Sequence, residues 1–155
     1  MSLQIRPACR EDLPAVLQLY AQPSMDNGAV LSLLDAQQVW SQFSRYPSYR
    51  LFVACEAPQE GAESKETVVG TYALLVMHNL AHQGTPSAIV EDVVVHEACQ
   101  SQGVGRAMMA HAMTQARAAG CYKLVLSSNQ KRERAHAFYE SLGFERHGFS
   151  FRIEI

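Results

Sequence analysis

Gln100-Ser101-Gln102-Gly103-Val104-Gly105-Arg106 follows the apolar run Ile89 to Val95 and opens an alanine- and methionine-rich segment that stops at Gly120. A strand, a glycine-bearing turn and a helix in that order leave N–H groups unpaired at a helix N-terminus, where an anion is favoured. The run therefore reads as a candidate cradle for a diphosphate. Gly103 can take a positive φ or let the backbone approach a ligand, and Gly105 removes side-chain bulk from the first helical turn. The lysine and Ser/Thr of a P-loop are missing, and Met108 stands where the dinucleotide G-x-G-x-x-G needs its third glycine. In isolation, a turn that merely joins strand to helix would look the same.

Outward from this run, hydrophobic periodicity gives the remaining elements. Leu3 to Arg6 reads as a strand and Glu11 to Ala21 as a helix, with Leu13, Val16, Leu17 and Tyr20 at helical spacing and Pro23 as its stop. Leu33 to Ser44 is the second helix; Trp40 and Phe43 on it suit a core as well as a pocket. Tyr49 to Glu56, Thr67 to Met77 and Ala88 to Val95 read as strands. Ala57 to Glu66 is a hairpin loop, and Gly84 and Pro86 make His78 to Pro86 another. Gly103 to Ala119 is a helix carrying Val104, Ala107, Met108, His111 and Ala112 on one stripe, where His111 reads as a packed residue. Tyr122 to Leu126 is the last strand and Ala135 to Leu142 the last helix. Continuous apolar strands suit a buried, partly parallel sheet.

The 155 residues, nearly half of them apolar, suit one domain spanning 1–155 with its own core. A formal charge of -2 argues against nucleic acid or an anionic membrane as partner, and no apolar run approaches a membrane span. Cys9, Cys55, Cys99 and Cys121 form no C-x-x-C pair and no secretory leader precedes them, which reads as four reduced thiols in a cytoplasmic protein. His96-Glu97-Ala98-Cys99-Gln100 begins like H-E-x-x-H but ends in glutamine, and no metal is expected.

Three stretches in order carry a family resemblance. Gln100-x-x-Gly103-x-Gly105 after Glu91-Asp92-Val93-Val94-Val95 is similar to motif A of the GNAT superfamily of acyl-CoA-dependent N-acyltransferases. Ala135-x-x-Phe138-Tyr139-x-x-x-Gly143-Phe144 resembles the same family's closing motif, and Arg6-Pro7-Ala8 with Glu11-Asp12-Leu13-Pro14 resembles its opening. The resemblance implies an α/β fold with a mixed, mostly antiparallel sheet, a central splayed parallel strand pair and flanking helices. It implies acetyl-CoA as cosubstrate and a small-molecule amine as partner, and it allows a homodimer. By the same resemblance the cofactor is held by Val93, Val94 and Val95, by Gln100, Ser101, Gln102, Gly103, Val104, Gly105 and Arg106, and by Asn129, Arg132, His136 and Tyr139. The free N–H and C=O groups of Val93 and Val95 would bond the pantetheine as a further strand would. Arg106 and Arg132 are the charged contacts expected for the phosphates, with a solvated helix start the equal alternative for the basic run Lys131 to Arg134.

Amine chemistry then names the carboxylates. An alkylammonium with a pKa near 10 is only about one part in a thousand neutral at pH 7, a cost of about 4 kcal/mol before attack on a thioester. A positioned base or water chain must remove that proton, and Glu91 and Asp92 are the obvious carboxylates. Along a regular strand they point to opposite sides, so only one can face the acceptor at a given place. Glu91 is the expected base, directly or through water; a purely structural carboxylate there is the alternative. Departure of the thiolate needs a proton in turn, and Tyr139 stands at the family's tyrosine position. Its phenol can donate without prior ionisation.

The acceptor itself stays open. Glu91 to Val95 and Gly120-Cys121-Tyr122-Lys123-Leu124 resemble glucosamine-6-phosphate N-acetyltransferases, but Glu154 stands where those chains carry an arginine for the sugar phosphate. Ser128-Asn129-x-Lys131-Arg132-x-x-Ala135-His136-x-Phe138-Tyr139 and Phe149-x-Phe151 resemble aminoalkylphosphonate N-acetyltransferases instead. Two other readings remain: an acyl-CoA-binding sensor without turnover, and an enzyme acting on a protein N-terminus or lysine.

Overall fold

The computed structural model describes residues 2–58 and 66–155. The chain falls into two compact units, 1–125 and 126–155. The expected Ala57 to Glu66 loop lies mostly outside the described residues.

In the first unit, β1 (Leu3–Pro7), β2 (Tyr49–Glu56), β3 (Thr67–Met77) and β4 (Ser87–Val95) pair antiparallel in sequence order. β5 (Leu124–Leu126) follows β4. Tyr122 N–H donates to Pro86 C=O and Ala88 N–H to Lys123 C=O, both at 3.0 Å. The chain advances in the same direction along both strands, so this pair is parallel. Among the described residues no strand follows β5 in this sheet.

Helices cover both faces. On one, α1 (Leu13–Tyr20) and α2 (Leu33–Gln42) pack onto Leu51, Val53, Cys55 and Ala73, with Val16 buried among them and Tyr20, Trp40, Phe43 and Tyr49 packed around the cluster. On the other, α3 (Val104–Ala118) buries Val104, Met108, Met109, Ala112 and Ala116. His111 packs on this side as its place in the apolar stripe predicts: the Tyr72 hydroxyl meets its Nδ1 at 2.6 Å and the Phe52 ring lies edge-on, 5.1 Å from it. At Gly70 an added Cβ would meet Met108 Sδ at 2.9 Å, Val104 Cγ1 at 3.3 Å and the Val94 carbonyl at 3.3 Å. The first turns of α3 thus sit directly on the backbone of β3.

The first helix begins later than its periodicity predicts. Arg10–Asp12 form a 3-10 turn and α1 starts at Leu13, with Pro14 in its opening turn. Proline's missing N–H and fixed φ suit that position. Asp12 ties the entry together: its carboxylate accepts from Arg6 Nη1 at 2.7 Å, Arg6 Nη2 at 3.0 Å and the Cys9 N–H at 2.8 Å. Arg6 holds the Asp12 carboxyl down at about 2.

The second unit contains α4 (Glu133–Glu140), which starts two residues before the expected Ala135. Within 144–155 no helix or strand forms, and Phe149, Phe151, Ile153 and Ile155 alternate with polar residues while exposed.

The Arg6–Asp12 pair yields a stability prediction. Asp12 has a folded-state pKa below its unfolded value, so its contribution is present above about pH 4 and lost as pH falls toward 2. Asp12→Ala should cost about 1.5–3 kcal/mol in urea unfolding at pH 7, and the difference from wild type should shrink on acidification through that window.

Candidate functional site

Site residues in the first unit gather around an irregularity in β4. Thr71 pairs with Val94 and Ala73 with Glu91, so Tyr72 of β3 stands against both Asp92 and Val93. Asp92 absorbs the surplus residue at φ 52°, in the left-handed region that non-glycine residues seldom enter. Glu91 lies opposite Ala73, which lies opposite Leu51. Directly paired residues share a face, which places Glu91 on the side of α1 and α2.

The bulge corrects the expected strict alternation of Glu91 and Asp92. Both carboxylates act on the same phenol: burial raises the Tyr49 pKa, and Asp92 and then Glu91 raise it further by repulsion of the phenolate. Tyr20, at the end of α1, is pushed up by burial and then by Asp92. Burial also raises the Glu91 carboxyl, with Asp92 adding to it, while Asp92 is raised by burial and then by Asp26. Ionised carboxylates held in such surroundings are more basic than ordinary ones.

Beyond the bulge, the His96 N–H donates to the Val69 carbonyl of β3 at 2.8 Å. Two-residue alternation then turns the Val94 N–H toward β3 and the Val93 and Val95 N–H groups away from it. The expectation that the Val95 carbonyl is also free is corrected, because it accepts from Gln22 Nε2 at 3.3 Å and from Gln100 Nε2 at 3.5 Å. The same Gln22 side chain accepts the Glu97 N–H at 2.8 Å. After β4 the chain passes through a 3-10 turn, Glu97–Cys99, and Ser101, at φ 63°, to Gly103, the N-cap of α3 at φ 88°. Glycine takes that φ without strain, and the N–H groups of the following turn point out of the helix end. Gln102 braces the loop by donating from Nε2 to the Ala98 carbonyl at 2.8 Å. Val93 to Val95 and Gln100 to Arg106 are therefore successive parts of one strand–loop–helix path, with Arg106 in the helix's first turn.

In the second unit Asn129, Arg132 and His136 form one local cluster. The Asn129 side chain accepts the Lys131 N–H at 2.9 Å, its carbonyl accepts the Arg132 N–H at 3.0 Å, and the His136 ring Nε2 meets the same carbonyl at 2.9 Å. Tyr139 lies one turn on, between Phe138 and Phe144, with ring centroids 5.2 and 5.9 Å away. Burial raises its phenol pKa against the opposing influence of Arg132. The phenol is thus protonated at neutral pH, in the state an acid needs. The Ser128 hydroxyl, on the approach to this cluster, is buried without a protein partner among the described residues.

The acetyltransferase (GNAT) family model matches residues 14–144. The chain belongs to this family. A solved protein of Agrobacterium tumefaciens str. C58, placed among the acetyltransferases, is 34% identical at a TM-score of 0.83, covering 98% of this chain and 99% of that one. The glucosamine 6-phosphate N-acetyltransferase of Trypanosoma brucei brucei is 32% identical over 57% of this chain and 58% of its own length. An aminoglycoside N(6')-acetyltransferase type 1 of Stenotrophomonas maltophilia is 31% identical over 61% of this chain and 59% of its own. The match spans under two thirds of the length of these two curated relatives.

For this GNAT protein the sequence reading omitted Tyr20, Asp26 and Tyr49. Tyr20 lay in a helical stripe and Tyr49 at a strand start, and nothing in either periodicity connects them with β4. The usable signal was Tyr49-x-Leu51-x-Val53-x-Cys55, which sets Tyr49 on the same face as the core of α1.

Asp92 provides the test of this electrostatic arrangement. Its raised pKa in the fold means that ionisation there opposes folding, so stability declines as pH climbs through the carboxylate range. Asparagine tolerates the left-handed φ as well as aspartate does. Asp92→Asn should therefore melt at a higher temperature than wild type at pH 7, and the advantage should vanish near pH 3.

Proposed function

We propose that residues 1–155 act as one acetyl-CoA-dependent N-acetyltransferase for the primary amine of a small molecule. The observation that carries this reading is the β4 bulge. It keeps Glu91 on the α1/α2 face while the Val93 and Val95 N–H groups are directed away from β3, just ahead of the α3 N-terminus.

The chain suits acetyl-CoA at several points. Acetyl-CoA supplies an activated acyl thioester. Val93 and Val95 N–H groups would bond an extended pantetheine arm, and the turn from Gln100 through Gly103 to Arg106 would receive the diphosphate with helix dipole and N–H donors together. Arg132, His136 and Asn129 would add cofactor contacts of their own, with Arg132 supplying positive charge for phosphate.

Glu91, raised in basicity by burial, takes the ammonium proton, directly or through water. The amine nitrogen forms its bond to the acetyl carbon as the carbon–sulfur bond breaks, and it gives up its second proton to solvent. Tyr139 gives its proton to the departing sulfur and recovers one from solvent. The balance is an acetamide, free CoA and one proton released. Transfer is direct; Cys99 and Cys121 are held as thiols by burial, which raises both pKa values and leaves little thiolate to carry an acetyl group.

Release of free CoA from acetyl-CoA is measured against glucosamine 6-phosphate, aminoalkylphosphonates, polyamines, amino acids and short peptides, with calorimetric binding of acetyl-CoA alongside. Turnover with a small amine is the expected result; binding without turnover across the panel would overturn the reading in favour of a sensor. Tyr139→Phe should lower kcat about 100-fold with acetyl-CoA affinity unchanged. Glu91→Gln should remove the acid limb of the kcat/KM profile, which in the wild type should sit above the ordinary carboxylate pKa.

A further inference from the structure

Four aromatic rings gather where α2 meets the start of β2. Trp40 and Phe43 have centroids 5.1 Å apart, Phe43 and Tyr49 5.3 Å. With Tyr46 they line an open cleft of about 200 Å³ over Ala8 and Leu51. Core packing explains one side of Trp40, Phe43 and Tyr49, which rest on the Val16–Leu51–Val53 cluster. It does not explain the open side of the cleft, where the rings face solvent and not the core. Nor does it explain Tyr46, which lines the cleft while remaining 60% exposed.

The cleft lies on the same face as Glu91. Leu51 at its floor is opposite Ala73, and Ala73 is opposite Glu91, so the two ends are two strand spacings apart, about 10 Å. Tyr49 joins them: it lines the cleft, and its phenol responds to Asp92 and Glu91. A cavity of about 150 Å³ admits benzene, so the cleft is large enough for one six-membered ring. Aromatic faces are electron-rich and attract cations, and the carboxylates continue that sign toward β4. The cleft is walled by aromatic rings, with Arg50 also in its lining, and the carboxylates lie beyond it toward β4. The rings suit an apolar ring, and the carboxylates suit an ammonium carried on it.

We propose that the acceptor is a primary amine with a hydrophobic ring: its nitrogen lies at Glu91 and Asp92, and its ring is seated in the cleft against Trp40, Tyr46 and Tyr49. This rests on the acetyltransferase reading above and adds a specificity site to it.

Trp40 is the single tryptophan of the chain, so its emission reports the cleft without turnover. Titration of the protein with 4-phenylbutylamine should change that emission saturably, while butylamine should not. CoA release should show a higher kcat/KM for 4-phenylbutylamine than for butylamine or glucosamine 6-phosphate. Tyr46→Ala, at an exposed position, should melt as wild type does and weaken 4-phenylbutylamine binding about 2- to 10-fold, the range of one aromatic contact. An unchanged Trp40 emission, or equal kcat/KM for the two amines, would overturn the ring site while leaving acetyl transfer standing. A saturable Trp40 response without CoA release from any amine would overturn the transferase reading, and with it the ring amine as an acceptor.

Discussion

Between Thr71 and Ala73 there is one residue of β3, whereas between Val94 and Glu91 there are two of β4. That mismatch costs strain at Asp92, where a non-glycine residue is held at positive φ, on the order of 1–3 kcal/mol. What it secures is direction. Without it, the strand would keep pairing evenly with β3, and the Val93 and Val95 N–H groups would fall into a different phase relative to Glu91. With it, Glu91 keeps its place opposite Ala73 while the end of the strand is turned for other partners. Strain concentrated at one residue fits a site that must hold an unfavourable charge arrangement: besides burial, Asp92 raises the Glu91 carboxyl and Asp26 raises that of Asp92.

Packing supports this arrangement from the opposite face. Gly70 lets Val104 and Met108 come down onto β3 next to the Val94 carbonyl, so the opening of α3 is fixed relative to the bulged strand by direct contact. The loop between them is short and braced at both ends, by Gln102 on Ala98 and by the αL cap at Gly103. The opening of α3 and the bulged strand are thus packed together as parts of one assembly.

Much of this was legible because it depends on residue spacing. The apolar run before Gln100, the glycine at Gly103 and the stripe from Val104 to Ala112 fix strand, turn and helix by steric and periodic arguments that need no partner strand. The bulge was not legible. Glu91-Asp92-Val93-Val94-Val95 alternates well enough to pass for a regular strand, and the clue is slight: Asp92 is the residue in the run most tolerant of a left-handed backbone. The cluster of Tyr20, Tyr49 and Asp26 was hidden for another reason. Its members come from a helix end, a strand start and a turn, and only the pairing register brings them to β4. Likewise Trp40 and Phe43 read equally as core or pocket, and the fold uses each ring for both purposes.

The Gln22 amide has a further consequence. Its nitrogen bonds the Val95 carbonyl and its oxygen the Glu97 N–H, so a single side chain from the turn after α1 clamps the backbone on both sides of His96. Fraying of the turn would release both bonds at once, and fraying of the strand end would free the turn. The two segments should behave as one cooperative unit in amide hydrogen exchange, opening together with a common free energy although more than seventy residues separate them along the chain.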